Sequence, residues 1–143
     1  LLSAACKKGW FGDREKRDIE MNKNGYQQYK EQSVNTMTKG EMLLLLYDEL
    51  LKRLMRAELA LGKEDYETFT NSVIRCRDIV CYLRDCLDPQ YAISSELRRM
   101  YEFFLYEFGR LEAGRNKEII QEVRPLVTEL REAFQEADKI AQY

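Results

Sequence analysis

The residues with the most chemical reach in this chain are four cysteines, Cys6, Cys76, Cys81 and Cys86, and there is no histidine beside them. Zinc enzymes and di-iron bundles depend on imidazole ligands, so those sites are not expected. Neither a phosphate-binding glycine loop nor a dinucleotide fingerprint occurs. Acid pairs such as Glu64 and Asp65 fit the solvated side of an amphipathic helix better than general acid–base work. Cys76, Cys81 and Cys86 follow one another at five-residue steps in one helical stretch, so they point apart and cannot pair within it. All four read as reduced thiols of a cytosolic protein, with Cys76 a small core residue. No enzyme is expected, and no catalytic residue, cofactor site or metal ligand is assigned.

With chemistry set aside, the elements become the subject. A chain of 143 residues builds one core-bearing domain. Its formal charge of −2 gives no reason to expect nucleic acid or an anionic membrane as partner. No apolar run approaches the roughly 20 residues that would cross a bilayer, so membrane insertion is not expected.

Four helices follow from apolar spacing. Thr38 and Glu41 form a capping box, and Leu43, Leu46, Leu50, Leu54, Ala57 and Leu61 then recur at steps of three and four until Gly62, read as a left-handed terminator. The second seam is Tyr66, Phe69, Val73, Cys76, Val80, Leu83 and Leu87, stopped at Asp88-Pro89. Ser94 or Ser95 caps the third, with Leu97, Tyr101, Phe104, Phe108 and Leu111 before Gly114. Asn116 caps the fourth, with Ile120, Val123, Val127, Leu130, Phe134 and Ala137; Pro125 either kinks this helix or divides it in two. Short connections make this an all-α fold, an antiparallel up-down four-helix bundle at 22–143 with an N-terminal arm at 22–36.

Each helix has large apolar residues to spare. Beside the first seam lie Leu44, Tyr47, Leu51 and Met55; Ile74, Ile79 and Tyr82 remain on the second helix, Phe103, Leu105 and Tyr106 on the third, Ile119 and Leu126 on the fourth. One reading is a wide core with the arm on its flank. The other is an apolar groove that another protein covers, since soluble chains seldom leave large apolar patches bare.

The stretch YKEQSVNTMTKGEMLLLLYDELL resembles the opening of the FliS family of flagellar export chaperones, with Tyr29, Ser33, Val34, Thr36, Glu41, Leu46, Tyr47 and Asp48 in the family's places. The likeness continues through VIRCRDIVCYLRDCLD and MYEFFLYEF to EVRPLVTELREAF. It departs at Lys39, where the family often has proline, at Glu49, where it often has glycine, and around Tyr106 and Glu107, where its arginine pair is replaced. The resemblance implies a cytosolic chaperone that holds the disordered C-terminal segment of flagellin in grooves of a helical bundle and brings it to the export gate. It also implies that the arm covers part of the groove and shifts when flagellin arrives. The partner-binding residues expected on this reading are Tyr29, Val34, Leu44, Tyr47, Asp48, Leu51, Ile74, Ile79 and Tyr101. The competing reading is a helical module, homodimeric or regulatory, that associates through its spare stripe without being specific for flagellin.

Residues 1–21 fall outside the resemblance. They read as an N-terminal extension produced by translation from upstream of Met21, since Lys16-Arg17 suits a ribosome-binding sequence, or else as a non-native segment or a genuine extra arm. LSAAC has no basic and apolar leader before it, so it does not read as a lipoprotein site.

Overall fold

The structure, a computed structural model, describes residues 37–141. Tyr29, Val34, Cys6, the 1–21 extension and the arm at 22–36 lie outside the described residues. Within them the chain forms α1 (Lys39–Gly62), α2 (Tyr66–Asp85), α3 (Ile93–Gly114) and α4 (Lys117–Ala141). Each helix packs on the next, and α4 returns to α1, closing a four-membered ring. Ion pairs Asp48–Arg131 and Glu58–Arg124 run in opposite order along α1 and α4, so these two helices are antiparallel. The expected up-down bundle is the observed fold.

The helix starts follow from side chains that satisfy orphan amides. The Thr38 hydroxyl accepts from the Glu41 amide at 3.1 Å, Asp65 accepts from Thr68 at 3.2 Å, and Asn116 accepts from Glu118 at 3.0 Å. Neither Ser94 nor Ser95 caps α3. That helix begins after Ala92 without a side-chain cap, while the Ser94 hydroxyl donates to the Asp88 carbonyl and that of Ser95 to Ala92. Both serines lie inside the first turn, where a hydroxyl reaches back to a preceding carbonyl more easily than forward to an amide.

The left-handed turn residues also differ from expectation. Gly62 and Gly114 are the last helical residues, and the positive φ angles belong to Glu64 (57°) and Arg115 (51°). The Lys63 amide still bonds the Leu59 carbonyl at 3.2 Å, so α1 runs on past Gly62 before the chain turns. At the other turn, the Arg115 amide donates to Leu111 at 2.8 Å and its guanidinium sits 3.8 Å from the Tyr66 ring centroid. That cation–π contact helps offset the strain of a non-glycine left-handed residue. It also holds Tyr66 at the surface, out of the seam to which its spacing assigned it.

α4 passes through Pro125 as one helix, which answers the choice between a kinked and a divided element in favour of continuity. The core takes most of the seam residues, with Leu50, Leu54, Phe69, Val73, Val80, Phe104, Phe108, Ile120 and Val127 fully buried. Leu61, Leu130 and Phe134 are only half-buried, and Ala137 is exposed. Cys76 is a free, buried thiol, which burial pushes up to about 12, and Cys81 is also free. Cys86 is disulfide-bonded, so the expectation of four reduced thiols fails there; the spacing argument had excluded pairing only within one helix.

Candidate functional site

α1 presents two apolar stripes. Leu43, Leu46, Leu50 and Leu54 fill the core. Leu44, Leu51, Met55 and Leu59, at steps of seven, four and four, lie on another side of the same helix. Leu44 and Leu51 are half-buried, and Met55 is 54% exposed. Together with Leu45, Asp48, Lys52, Arg124 and Thr128, Leu51 and Met55 line an open groove of about 480 Å³ where α1 meets α4.

Two charge pairs join the helices at this groove. Arg131 grips Asp48 with both arms of its guanidinium, the Nη2 bond being 3.3 Å long, and Arg124 donates to Glu58. A two-pronged arginine–carboxylate contact fixes geometry as well as charge. Arg131 also donates to Gln135 at 3.2 Å, and the Thr128 hydroxyl donates to the Arg124 carbonyl at 2.9 Å. The walls are thereby held in register around an apolar floor.

Beneath the groove lies a buried phenol pair. The hydroxyls of Tyr47 on α1 and Tyr101 on α3 are 2.6 Å apart, and the Tyr47 ring stacks on Phe134 with centroids 5.8 Å apart. Burial pushes Tyr101 up to about 12 and Tyr47 higher still, the latter helped by its hydrogen-bonded neighbour. Both therefore stay neutral at physiological pH, and the pair ties α1 to α3 without offering a proton for chemistry.

Of the residues expected to meet a partner, Leu44, Asp48 and Leu51 come together along the outer side of α1, although the Asp48 carboxylate is committed to Arg131. Ile74 is exposed on α2. Tyr47, Ile79 and Tyr101 are core residues and not part of an open surface. A helix packed between two neighbours buries an arc wider than a single three-four stripe, and Tyr47 and Ile79 fall at the edge of that arc. The same correction applies to Ile119, a spare residue by spacing that is buried. The arginines of α4 were missed by an apolar reading. Arg124 and Arg131 are seven residues apart on one side of α4, and that spacing, matched against Asp48 and Glu58, was the available signal.

No helix among the described residues is long and apolar enough to cross a membrane. No group of three or more potential metal-ligating side chains is found among them. The sequence model of the family described as Flagellar protein FliS matches residues 22–141. The chain belongs to the FliS family. It is also 29% identical over 114 residues to the flagellar secretion chaperone FliS of Bacillus subtilis (strain 168), an alignment covering 80% of this chain and 86% of that protein. The FliS match takes in all four helices and the whole groove.

Proposed function

We propose that this FliS-family protein is a cytosolic export chaperone that holds the C-terminal segment of flagellin, keeping it from polymerising before secretion and presenting it to the flagellar export gate. The observation that carries the reading is the second apolar stripe of α1, which the bundle leaves open beside α4. A helix-in-groove partner needs apolar residues in excess of the host's own core, at spacings of three, four and seven. Leu44, Leu51, Met55 and Leu59 supply that pattern. Ile74 offers a separate exposed apolar contact on α2. Tyr47 and Tyr101 act from beneath by tying α1 to α3, Ile79 acts only as part of the core, and Tyr29 and Val34, outside the described residues, are proposed to meet the segment as well.

Wrapping a disordered segment costs roughly 2–5 kcal/mol of the gross interaction in ordering, which favours a complex that can still be released at the gate. Isothermal calorimetry with a synthetic flagellin C-terminal segment tests the proposal. One-to-one binding is expected, weakened about tenfold or more by Leu51→Asp, with helical circular dichroism unchanged. Binding that Leu51→Asp leaves untouched would remove the groove from the account, and no binding by the folded wild type would remove the flagellin assignment.

A further inference from the structure

The turn between α2 and α3 helps to form a second cavity, of about 570 Å³, larger than the groove beside α1. Leu87, Pro89, Tyr91 and Ala92 line it from the turn, and Ser95, Arg98, Arg99 and Glu102 line it from α3. Those four α3 residues stand at i, i+3, i+4 and i+7, which is one side of a helix. Leu97, Tyr101, Phe104 and Phe108, on the opposite side, are the ones buried in the bundle. The turn is held by its own hydrogen bonds. The Asp88 carboxylate accepts from the Gln90 amide at 3.0 Å, and the Asp88 carbonyl accepts from the Ser94 hydroxyl and, at 3.2 Å, from the Tyr91 amide.

The arginines of this cavity stand apart from the others. Arg53, Arg77, Arg84, Arg110, Arg124 and Arg131 each pair with a carboxylate. No ion pair joins Arg98 or Arg99 to any described residue, although Glu102 follows them at the four- and three-residue steps that suit a helical pair. Two guanidinium groups against one carboxylate leave the cavity with a net charge of +1. A single carboxylate matches that charge, whereas a phosphoryl dianion exceeds it. The planar guanidinium fork also suits the two oxygens of a carboxylate. Beside the arginines, Leu87 and the half-exposed ring of Tyr91 supply an apolar wall.

We infer that this cavity takes the α-carboxylate at the very end of the flagellin segment, with Arg98 and Arg99 as its donors. This rests on the flagellin assignment above: a C-terminal segment ends in a free monoanionic carboxylate, and a pair of unengaged arginines is the chemistry that recognises one. The last side chain of the segment lies against Leu87, Pro89 and Tyr91, and Glu102 disfavours a second negative charge beside it. Cavity and groove lie on different helices, so one segment reaches both only by passing round the bundle. Neighbouring helix axes lie about 8–10 Å apart, and about a dozen extended residues span roughly 40 Å, enough for that path. Holding the end of the chain fixes the register in which its apolar residues meet Leu44, Leu51 and Met55. It also makes the second contact intramolecular, which tightens the whole.

Calorimetry on the full chain tests the inference with two versions of the flagellin C-terminal segment, one a free acid and the other ending in a carboxamide. The acid is expected to bind about tenfold tighter. The pair Arg98→Ala/Arg99→Ala should remove that difference, weakening the acid about tenfold and leaving the amide unchanged. Both side chains are exposed, so the variant should melt as the wild type does. Leu51→Asp should weaken both versions to the same degree, because it acts at the groove. Equal affinity of the wild type for acid and amide overturns the inference and leaves the flagellin assignment standing. So does an equal loss for both versions in the arginine variant, which would give the cavity to an acidic side chain elsewhere in the segment. Failure of the wild type to bind either version defeats the flagellin assignment, and the inference falls with it.

Discussion

The two flanks of α4 are joined to the bundle by different means. Towards α1 it offers Arg124 and Arg131 to Glu58 and Asp48, stacks Phe134 on Tyr47, and brings Asp138 against Gly40 so closely that a Cβ at Gly40 would overlap its carboxylate. Away from α1 it carries the exposed Glu118, Glu122, Glu129, Glu132 and Glu136, and its approach to α3 is looser. The difference shows that one amphipathic helix can serve as structural wall on one side and as open surface on the other. Charge, not apolar content, distinguishes them: Arg124 and Arg131 are engaged by carboxylates of α1, and no ion pair between α4 and α3 occurs among the described residues.

The sharpest way to break the comparison lies on α1, where adjacent leucines belong to different regions. Leu50 is fully buried and Leu51 lines the groove. Leu50→Asp should cost on the order of 4–5 kcal/mol or more by burying an unpaired charge, and leave the chain largely unfolded at room temperature. Leu51→Asp should keep its helical circular dichroism and a cooperative melt. Equal unfolding of both variants would make the groove part of the core.

The next effect concerns the tie between α1 and α3. Tyr47→Phe or Tyr101→Phe leaves one buried hydroxyl without its 2.6 Å partner, at a cost of about 1–3 kcal/mol in urea unfolding. The double replacement should cost clearly less than the sum of the two, since neither hydroxyl then remains unpaired. Strict additivity would mean that the two hydroxyls are not coupled.

These buried acids also set an alkaline limit. Cys76 and Tyr101 hold their protons up to about 12 in the folded chain, against 9.0 and 10.0 for the free groups. Their contribution is complete below pH 9 and falls as the unfolded chain ionises above it, by about 1.4 kcal/mol per pH unit for each group until the folded groups titrate near 12. Urea midpoints taken between about pH 8 and 11 should therefore decline, and Cys76→Ala should make the decline shallower. A flat profile would contradict the burial of these groups.

The smallest effect compares the flanks directly. Arg131→Ala should cost about 0.5–1 kcal/mol, shrinking as salt screens the Asp48 pair, whereas Glu129→Ala should stay within about 0.5 kcal/mol of wild type. If the two losses are equal, the asymmetry of α4 has no energetic content.

Much of this was legible in the sequence. The three-four spacing of α2 and α3 depends only on local geometry, and Phe69, Val73, Val80, Phe104 and Phe108 are buried as their spacing requires. What stayed hidden is non-local. The partners of Arg131 and Arg124 lie 83 and 66 residues away, so the spacing within α4 reveals a charged side but not what it meets. Tyr47, Ile79 and Ile119 were misplaced because the width of a buried arc depends on how many neighbours a helix has, which no single helix encodes. Glu64 took the left-handed position expected of Gly62 because the turn is set by where the last helical hydrogen bonds form.

The order in which the ring closes has a consequence for folding kinetics. Each of the pairs α1–α2, α2–α3 and α3–α4 joins neighbours through a short turn, whereas the α1–α4 contact closes across the whole bundle and carries most of the loop-closure entropy. The last of these four helices to be synthesised is thus the one that completes the ring, and until it docks, the Asp48 and Glu58 carboxylates await their arginines. At high concentration the α4 of another molecule can fill that place, a route to exchanged dimers identical in every contact to the monomer. Refolding yield should for that reason fall with protein concentration more steeply than the stability of the finished bundle alone would suggest.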